Sequence, residues 1–306
     1  MTRVAFASGF VSILGRPNAG KSTLLNALVG AKVAIVAAQP QTTRTLVQGV
    51  VSAPGGQIVF LDTPGIHRPD SPINRRMMRC VRAALGEARD LLLFVVDASA
   101  PFGEGDRHAV DLVKKSEAPV LLAANKIDRL KSRDELLPLI ERYRALHGFA
   151  DYLPVSALCG DKVGELRDAI LARLPEGPAY FPADHVTDQP ERFLAAELIR
   201  EKILHHTRQE VPHAAAVLVD RWEESDRLTR IQATIYVERA GQKAIVIGAK
   251  GATLKRIGSE ARQEMERLFD RRIFLQLFVK ARPKWRESPG FLNSIDWRTM
   301  AGADDT

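Results

Sequence analysis

Cysteine is nearly missing from this sequence: Cys80 and Cys159 are the two thiols in 306 residues. That excludes a disulfide framework, and the wide spacing excludes a cysteine-based metal site, leaving two ordinary thiols that suit a reducing cytoplasm. Long hydrophobic runs are missing too; none approaches the roughly 18 residues that a membrane-spanning helix needs. Internal repeats and low-complexity segments are absent, which excludes repeat architectures and compositionally disordered arrays. One stretch needs a check, because Arg3 followed by residues 4–14 faintly resembles a signal peptide. Cleavage there would remove residues 10–14, the strand leading into the phosphate loop described below, so the chain is read as mature cytoplasmic protein.

What is there is ordinary for a globular protein: 45% hydrophobic and 26% charged residues, with a length that suggests two domains. The net charge is +7 and the pI near 9.5, which favours an acidic partner such as nucleic acid or an anionic membrane surface.

The strongest signal is Gly15-Arg16-Pro17-Asn18-Ala19-Gly20-Lys21-Ser22-Thr23, between an apolar strand at 10–14 and an apolar helical pattern at 24–29. Strand, Gly-rich loop and helix with this G-x-x-x-x-G-K-[ST] spacing form a P-loop. Glycines let the backbone wrap an anion with its N–H groups, and the helix N-terminus adds partial positive charge. Lys21 is placed to reach the β- and γ-phosphates, and the Ser22 hydroxyl to ligate Mg²⁺. Downstream, residues 31–44 read as a polar loop, 45–51 and 57–61 as strands joined by a Pro54-Gly55-Gly56 turn, and 75–85 as a helix. Three strand–helix pairs follow. The run 91–96 is continuously apolar, as in a strand buried on both faces of a parallel sheet. This alternation predicts a doubly wound α/β P-loop domain, mostly parallel with one antiparallel edge strand, and ligands at the C-terminal strand ends.

The base is read from Asn125-Lys126-Ile127-Asp128. A carboxylate at Asp128 can accept from guanine N1–H and from the exocyclic amine, donors that adenine lacks there. Asn125 and the backbone of Ser156-Ala157-Leu158 address the other edge, and Lys126 covers the ring. Asp62-Thr63-Pro64-Gly65 supplies a metal-side carboxylate, expected to act through water, and the Gly65 N–H for the γ-phosphate. Thr42 or Thr43 is the second Mg²⁺ hydroxyl, with Thr43 favoured. Lys21, Thr43, Asp62 and Gly65 are thus the expected catalytic groups, and the loops carrying the last three are expected to order around the γ-phosphate as a switch. Ras-like GTPases place a water-orienting Gln just after this Asp-x-x-Gly. Here that position is Ile66, so slow intrinsic hydrolysis is expected; the neighbouring His67 is read as an exposed loop residue rather than a base.

Residues 175–190 carry four prolines and no periodicity, and read as a linker. Beyond it lie an amphipathic helix at 193–206, strands at 217–221 and 228–237, a short apolar segment at 244–247, the loop Gly248-Ala249-Lys250-Gly251, a long helix at 252–268, a strand at 273–279 and a polar tail from Lys284. A G-x-x-G loop opening a basic helix, in this element order, matches a KH domain, whose loop clamps about four single-stranded nucleotides. Gly248, Ala249 and Gly251 allow close approach of the phosphodiester chain, while Lys250 and Lys255 neutralise it.

Together, residues 15–23, Gln41-Thr42-Thr43-Arg44, 62–65, 125–128, Ser156-Ala157 and the segment 246–252 resemble the Era family of GTPases over nearly the whole chain. The resemblance implies a GTPase domain at 1–177, a linker at 178–190 and a smaller α+β KH domain of type II at 191–306. It also implies a bacterial ribosome-assembly GTPase that takes GTP/GDP and Mg²⁺, acts as a monomer and binds the 3′ end of 16S ribosomal RNA in the small ribosomal subunit precursor. Peripheral contact with the inner face of the cell membrane is a further family trait. The alternative reading is a GTP-gated membrane or cell-division factor whose basic domain meets anionic lipid.

Overall fold

The structure is a computed structural model, and it describes residues 6–39, 41–66, 71–87 and 90–297. The chain divides into two units. One holds the described residues up to Ala34, then 43–66 and Asn74–Asp188; the other holds Ile35–Thr42, Ser71–Ile73 and the chain from Gln189 onward.

In the first unit the elements are β1 (Ala7–Gly15), α1 (Lys21–Val29), β2 (Val47–Ala53), β3 (Gly56–Asp62), α2 (Pro72–Glu87), β4 (Leu91–Asp97), α3 (Glu104–Val113), β5 (Val120–Asn125), α4 (Leu136–Arg144), β6 (Asp151–Pro154) and α5 (Val163–Leu171). The sheet order is β2-β3-β1-β4-β5-β6. All pairings are parallel except that of β2, which runs antiparallel to β3 at the edge, as expected. The continuous apolar run of β4 resolves into two alternating sets. Leu91, Leu93 and Val95 join Leu24, Leu25, Leu166 and Ile170 on the face covered by α1 and α5. Leu92, Phe94 and Val96 join Val81, Val110 and Tyr143 on the face covered by α2, α3 and α4. Helices on both faces make the strand interior a two-sided core, so its polar alternation vanishes.

The Pro-rich stretch read as a linker lies, up to Asp188, along the first unit. The Val50 N–H donates to Val186 O (2.8 Å), Thr187 Oγ1 to Gln48 O (2.8 Å), and the Tyr180 and Phe181 N–H groups to Gln57 Oε1 (2.7 and 3.0 Å). An extended proline-containing segment still has carbonyls and some N–H groups to satisfy, and the open edge of β2 offers partners while being covered itself.

The second unit contains α6 (Glu191–His206), α7 (Val211–Ala214), β7 (Ala216–Ser225), β8 (Leu228–Val237), α8 (Ala240–Ile247), α9 (Ala252–Phe269), β9 (Ile273–Ala281) and α10 (Pro289–Ser294). Its sheet order is β7-β8-β9, with β7 antiparallel and β9 parallel to β8. This is the expected KH domain, and the parallel β8/β9 pair is the type II connection. Inward residues Ile231, Ala233, Ile235, Val237, Ile273 and Val279 pack on Ile199, Ile203, Ile257 and Met265.

Three features differ from expectation. The apolar segment at 244–247 is the end of helix α8; the Gln242 Oε1 accepts the N–H groups of Glu238 and Arg239 (both 3.0 Å) and fixes its start. Helix α6 is buried on nearly all sides, Arg200 and Glu201 included, because segment Ile35–Thr42 lies on what would be its polar face. There Glu201 Oε1 accepts the Val36 N–H (2.8 Å), Leu204 O accepts Gln39 Nε2 (2.8 Å), and Arg200 Nη2 donates to Thr42 O. The tail, read as polar, buries Trp285, Phe291, Leu292 and Trp297.

Candidate functional site

The phosphate loop joins β1 to α1 through backbone that few side chains tolerate. Asn18 (φ 63°) and Gly20 (φ 91°) are left-handed, and a Cβ on Gly15 would strike the Val95 carbonyl. Lys21, 6% exposed, folds back over the loop so that its Nζ donates to Gly15 O (3.3 Å) and Arg16 O (3.1 Å). Arg16 Nη1 pairs with Asp106 (2.6 Å), which also accepts from Tyr143 OH (2.8 Å) and the Gly103 N–H (2.9 Å). The Ala19 carbonyl accepts Asn125 Nδ2 (2.9 Å), and the Asn18 carbonyl accepts Lys126 Nζ (2.5 Å). The loop is therefore held from outside before any ligand arrives. Thr23 follows Ser22 on the first turn of α1.

Beside Lys21 three oxygen-bearing side chains converge. Ser22 Oγ donates to Asp62 Oδ2 (2.7 Å) and lies 2.7 Å from Thr43 Oγ1, itself 3.4 Å from the same carboxylate oxygen. Asp62 is fully buried, and its Oδ1 has no hydrogen-bond partner among the described residues. Burial pushes the Asp62 carboxyl up to about 6, against the Lys21 charge and the hydrogen bonds from Ser22 and Thr43. Burial also pulls Lys21 down to about 8, against the attraction of Asp62. A buried carboxylate with an idle oxygen, flanked by two hydroxyls, is a donor set of hard oxygens that fits a divalent cation such as Mg²⁺. Thr42 is turned elsewhere: its Oγ1 donates to Gln39 O (2.8 Å).

Thr63 is structural, its Oγ1 donating to Ile13 O (2.9 Å). Pro64 is buried beside it, and Gly65 sits so near Pro17 that a Cβ would come within 2.7 Å of the Pro17 nitrogen. Ile66 donates its N–H to Gly15 O (3.0 Å) and buries its side chain in the α2–α4 face of the core. His67 lies outside the described residues.

At the base end, Lys126 takes φ 67° and starts a 3₁₀ turn, Ile127–Arg129, that presents Asp128. Ser156 Oγ donates to Asp128 Oδ1 (2.5 Å) and accepts the Cys159 N–H (3.2 Å). Asn125 Oδ1 accepts the Ala157 N–H (3.0 Å), while Leu158 is exposed. Asn125 thus ties the base loop to the phosphate loop. Asp97 supports Lys126 (2.6 Å). Burial alone would raise the Asp97 carboxyl, but hydrogen bonds from Lys126 and Ser99 and the Lys126 charge hold it below the usual range.

In the second unit Gly248 (φ 71°), Lys250 (φ 49°) and Gly251 (φ 81°) form a tight loop closed by Gly251 N–H to Gly248 O (3.1 Å), and it leads into α9. Ala249, Lys250 and Lys255 are exposed around it. The nucleotide residues and the G-x-x-G residues thus form two separate groups. Sequence reasoning missed Asp106 and Tyr143 behind Arg16, Asp97 behind Lys126, and the charged face of α6. Pairings across 90, 37 and 29 positions leave no local signal.

Comparison with known proteins agrees with this geometry. Residues 10–126 match the family model of the 50S ribosome-binding GTPase, and residues 210–286 that of the KH domain. The chain is 47% identical to GTPase Era of Syntrophus aciditrophicus, over 96% of both chains, and 48% identical to GTPase Era of Heliobacterium modesticaldum, over 94% of this chain and 96% of the other. Two solved structures superpose with a TM-score of 0.92 at 40% identity, covering 95% of this chain and 99% of theirs. They are a single-residue variant of Aquifex aeolicus Era bound to GDP·AlF4⁻, and Era in complex with MgGDPNP and nucleotides 1506–1542 of 16S ribosomal RNA.

Proposed function

The chain belongs to the Era family of GTPases and hydrolyses GTP, and from that premise we propose that it is a GTP-controlled binder of 16S ribosomal RNA that assists assembly of the small ribosomal subunit. The observation that carries the reading is the presence in one chain of a GTPase domain with its phosphate loop and a KH domain with its G-x-x-G loop. The solved Era complex with a 16S ribosomal RNA segment supports the choice of RNA.

Asp128 selects guanine, and Asn125, Lys126 and the backbone at Ser156, Ala157 and Leu158 frame the base. The phosphate-loop N–H groups and Lys21 bind the β- and γ-phosphates, a site already positive before substrate enters. Ser22 and Thr43, with Asp62 behind them through water, would hold Mg²⁺, which supplies charge neutralisation at the transferring phosphoryl group. Gly65, whose close contact with Pro17 holds it at the loop, would supply its N–H to the γ-phosphate. Since the Ile66 side chain faces the core, no side chain at that position orients the attacking water, and unassisted turnover is slow. Gly248, Lys250, Gly251 and Lys255 clamp the phosphodiester backbone. Cys80 and Cys159 are not joined in a disulfide, which suits a cytoplasmic site of action. Among the described residues no helix is long and apolar enough to cross a membrane.

Two variants test the assignment. Lys21→Ala abolishes GTP turnover, while Gly251→Asp, which puts a side chain at φ 81°, spares turnover and weakens RNA binding. Equal RNA affinity for Gly251→Asp and the unmodified protein would sink the KH assignment. Flotation on anionic vesicles after ribonuclease treatment separates the lipid alternative: binding that survives RNA removal favours it.

A further inference from the structure

The second unit's sheet has a face turned away from α6 and α9, and the described residues cover only one end of it. There α10 packs Phe291 edge-on to Tyr236 (centroids 5.0 Å apart), and Arg282 lies 4.5 Å over the Phe291 ring. Away from Tyr236 the described residues leave this face exposed at Phe274, Gln276 and Phe278. The outward residues Phe274, Gln276, Phe278 and Lys280 of β9 pair in register with Arg230, Gln232, Thr234 and Tyr236 of β8. Phe274 is 49% exposed and Phe278 42%, two bare phenyl rings on one face of an edge strand. Exposed apolar side chains grouped on one face and rimmed by polar residues are the pattern of an interaction surface.

The chemistry around the rings narrows the partner. Arg230 holds its guanidinium 5.7 Å from the Phe274 centroid. Gln232 Nε2 donates to Gln276 Oε1 (3.1 Å) between the two rings, leaving amide edges outward. Lys280 is exposed at one end of the strand and Arg272 just before the other. None of the outward residues of β8 and β9 is acidic. On β7, Asp220 is engaged by Thr234 Oγ1 (2.7 Å), and Glu223, in register with Arg230, is paired with Arg221. Phe274 and Phe278 lie four residues apart on a strand, about 13 Å, too far to sandwich one base but suited to seating two. Aromatic rings, a stacked guanidinium, free amide edges and flanking cations are the groups that hold unpaired bases and their phosphates.

We infer that the exposed face of β8 and β9 is a second seat for single-stranded RNA, in which Phe274 and Phe278 each stack one unpaired base. The inference rests on the RNA-binding reading above, but the seat is separate from the G-x-x-G loop, which lies on the helix-bearing side. Because β9 is an edge strand, an RNA longer than the loop's own footprint can pass around it and engage both.

The test uses the full chain and two unstructured oligoribonucleotides, one of about four nucleotides, the span a G-x-x-G loop holds, and one of about twelve. Affinities are read by fluorescence anisotropy at fixed salt, with the affinity for the short RNA and the urea midpoint of the second unit as checks of folding; both phenylalanines are largely outward, so their loss leaves the core intact. Phe274→Ala and Phe278→Ala each weaken the long RNA roughly 5- to 100-fold, leave the short one and turnover unchanged, and are rescued by Trp but not by Leu. Gly251→Asp weakens both RNAs. If the phenylalanine variants bind the long RNA like the unmodified protein while Gly251→Asp does not, the second seat is wrong and the KH reading stands. Rescue by Leu, or loss of self-association in sedimentation with RNA affinity unchanged, would make the face a protein contact and overturn the inference. If the unmodified chain binds neither RNA, both readings fall.

Discussion

Changing Asp128 to Asn converts the base site from guanine to xanthine, and the surrounding hydrogen bonds dictate which way the new amide points. Ser156 Oγ accepts the Cys159 N–H and therefore uses its own proton toward Asp128 Oδ1. In Asp128→Asn that hydroxyl keeps the amide oxygen in the Oδ1 position and turns the amide NH₂ to where the second carboxylate oxygen stood. Guanine then loses one charge-assisted hydrogen bond, worth about 1.5–3 kcal/mol, and meets a donor with a donor. The two effects together weaken GTP binding by about 10²- to 10³-fold. Xanthine carries a carbonyl where guanine carries its amine, so xanthosine triphosphate gains by a similar factor. Asp128 is exposed and belongs to a single 3₁₀ turn, so the melting temperature stays put. The assay is equilibrium competition of both triphosphates against a fluorescent guanine nucleotide. Adding Ser156→Ala to the variant frees the amide to flip and narrows the new preference about tenfold. GTP affinity within about tenfold of the unmodified protein, or no gain for xanthosine triphosphate, would refute the geometry assigned to the base.

Other outcomes follow from single contacts. Gly65→Ala drives a methyl to 2.7 Å from the Pro17 nitrogen and displaces the γ-phosphate donor, so single-turnover hydrolysis slows about 10²-fold while GDP affinity stays within a few fold. Trp285 is fully buried and donates its Nε1–H to Ala214 O (2.9 Å); Trp285→Ala costs the second unit about 3–5 kcal/mol, read by urea denaturation. Asp97 has its carboxyl held low by Lys126 and Ser99, so its contribution to stability is complete above the usual carboxylate value, about pH 4, and is lost as pH falls through the lowered one. Thermal scans in acid should therefore show a shallower loss of melting temperature for Asp97→Asn than for the unmodified chain, and identical slopes would rule the pair out as an acid-labile support.

The sequence carried the nucleotide site because its chemistry is local. Residues 15–23 are contiguous, and the other motifs sit at the C-terminal ends of β3, β5 and β6, where a parallel sheet gathers them. Helix α6 was misread as amphipathic for a long-range reason: a polar stripe normally faces water, and here it faces a loop about 160 residues earlier in the chain, as with Gln39 and Leu204. Helix α8 hid behind Gly241 and the run Ala244-Ile245-Val246-Ile247, whose β-branched residues suit a strand; the capping by Gln242 and burial of Val246 outweigh them. The alternation Phe274-Gln276-Phe278-Lys280 was legible in principle, since a strand of period two shows its outer face, but aromatic residues there pass for core until the sheet's covered side is known.

The adjacent residues Thr42 and Thr43 are held by different partners. Thr43 belongs to the first unit, with its hydroxyl 2.7 Å from Ser22 Oγ; Thr42 belongs to the second, with its carbonyl held by Arg200 and its hydroxyl by Gln39. Arg200 is 2% exposed, and its Nη1 has no partner among the described residues, so its remaining hydrogen bonds are costly to lose. Leaving a buried donor unsatisfied costs about 1–3 kcal/mol, more for a charged one. The Arg200 contact with the Thr42 carbonyl therefore helps to fasten segment 35–42 to α6, and its loss loosens that segment by about that amount.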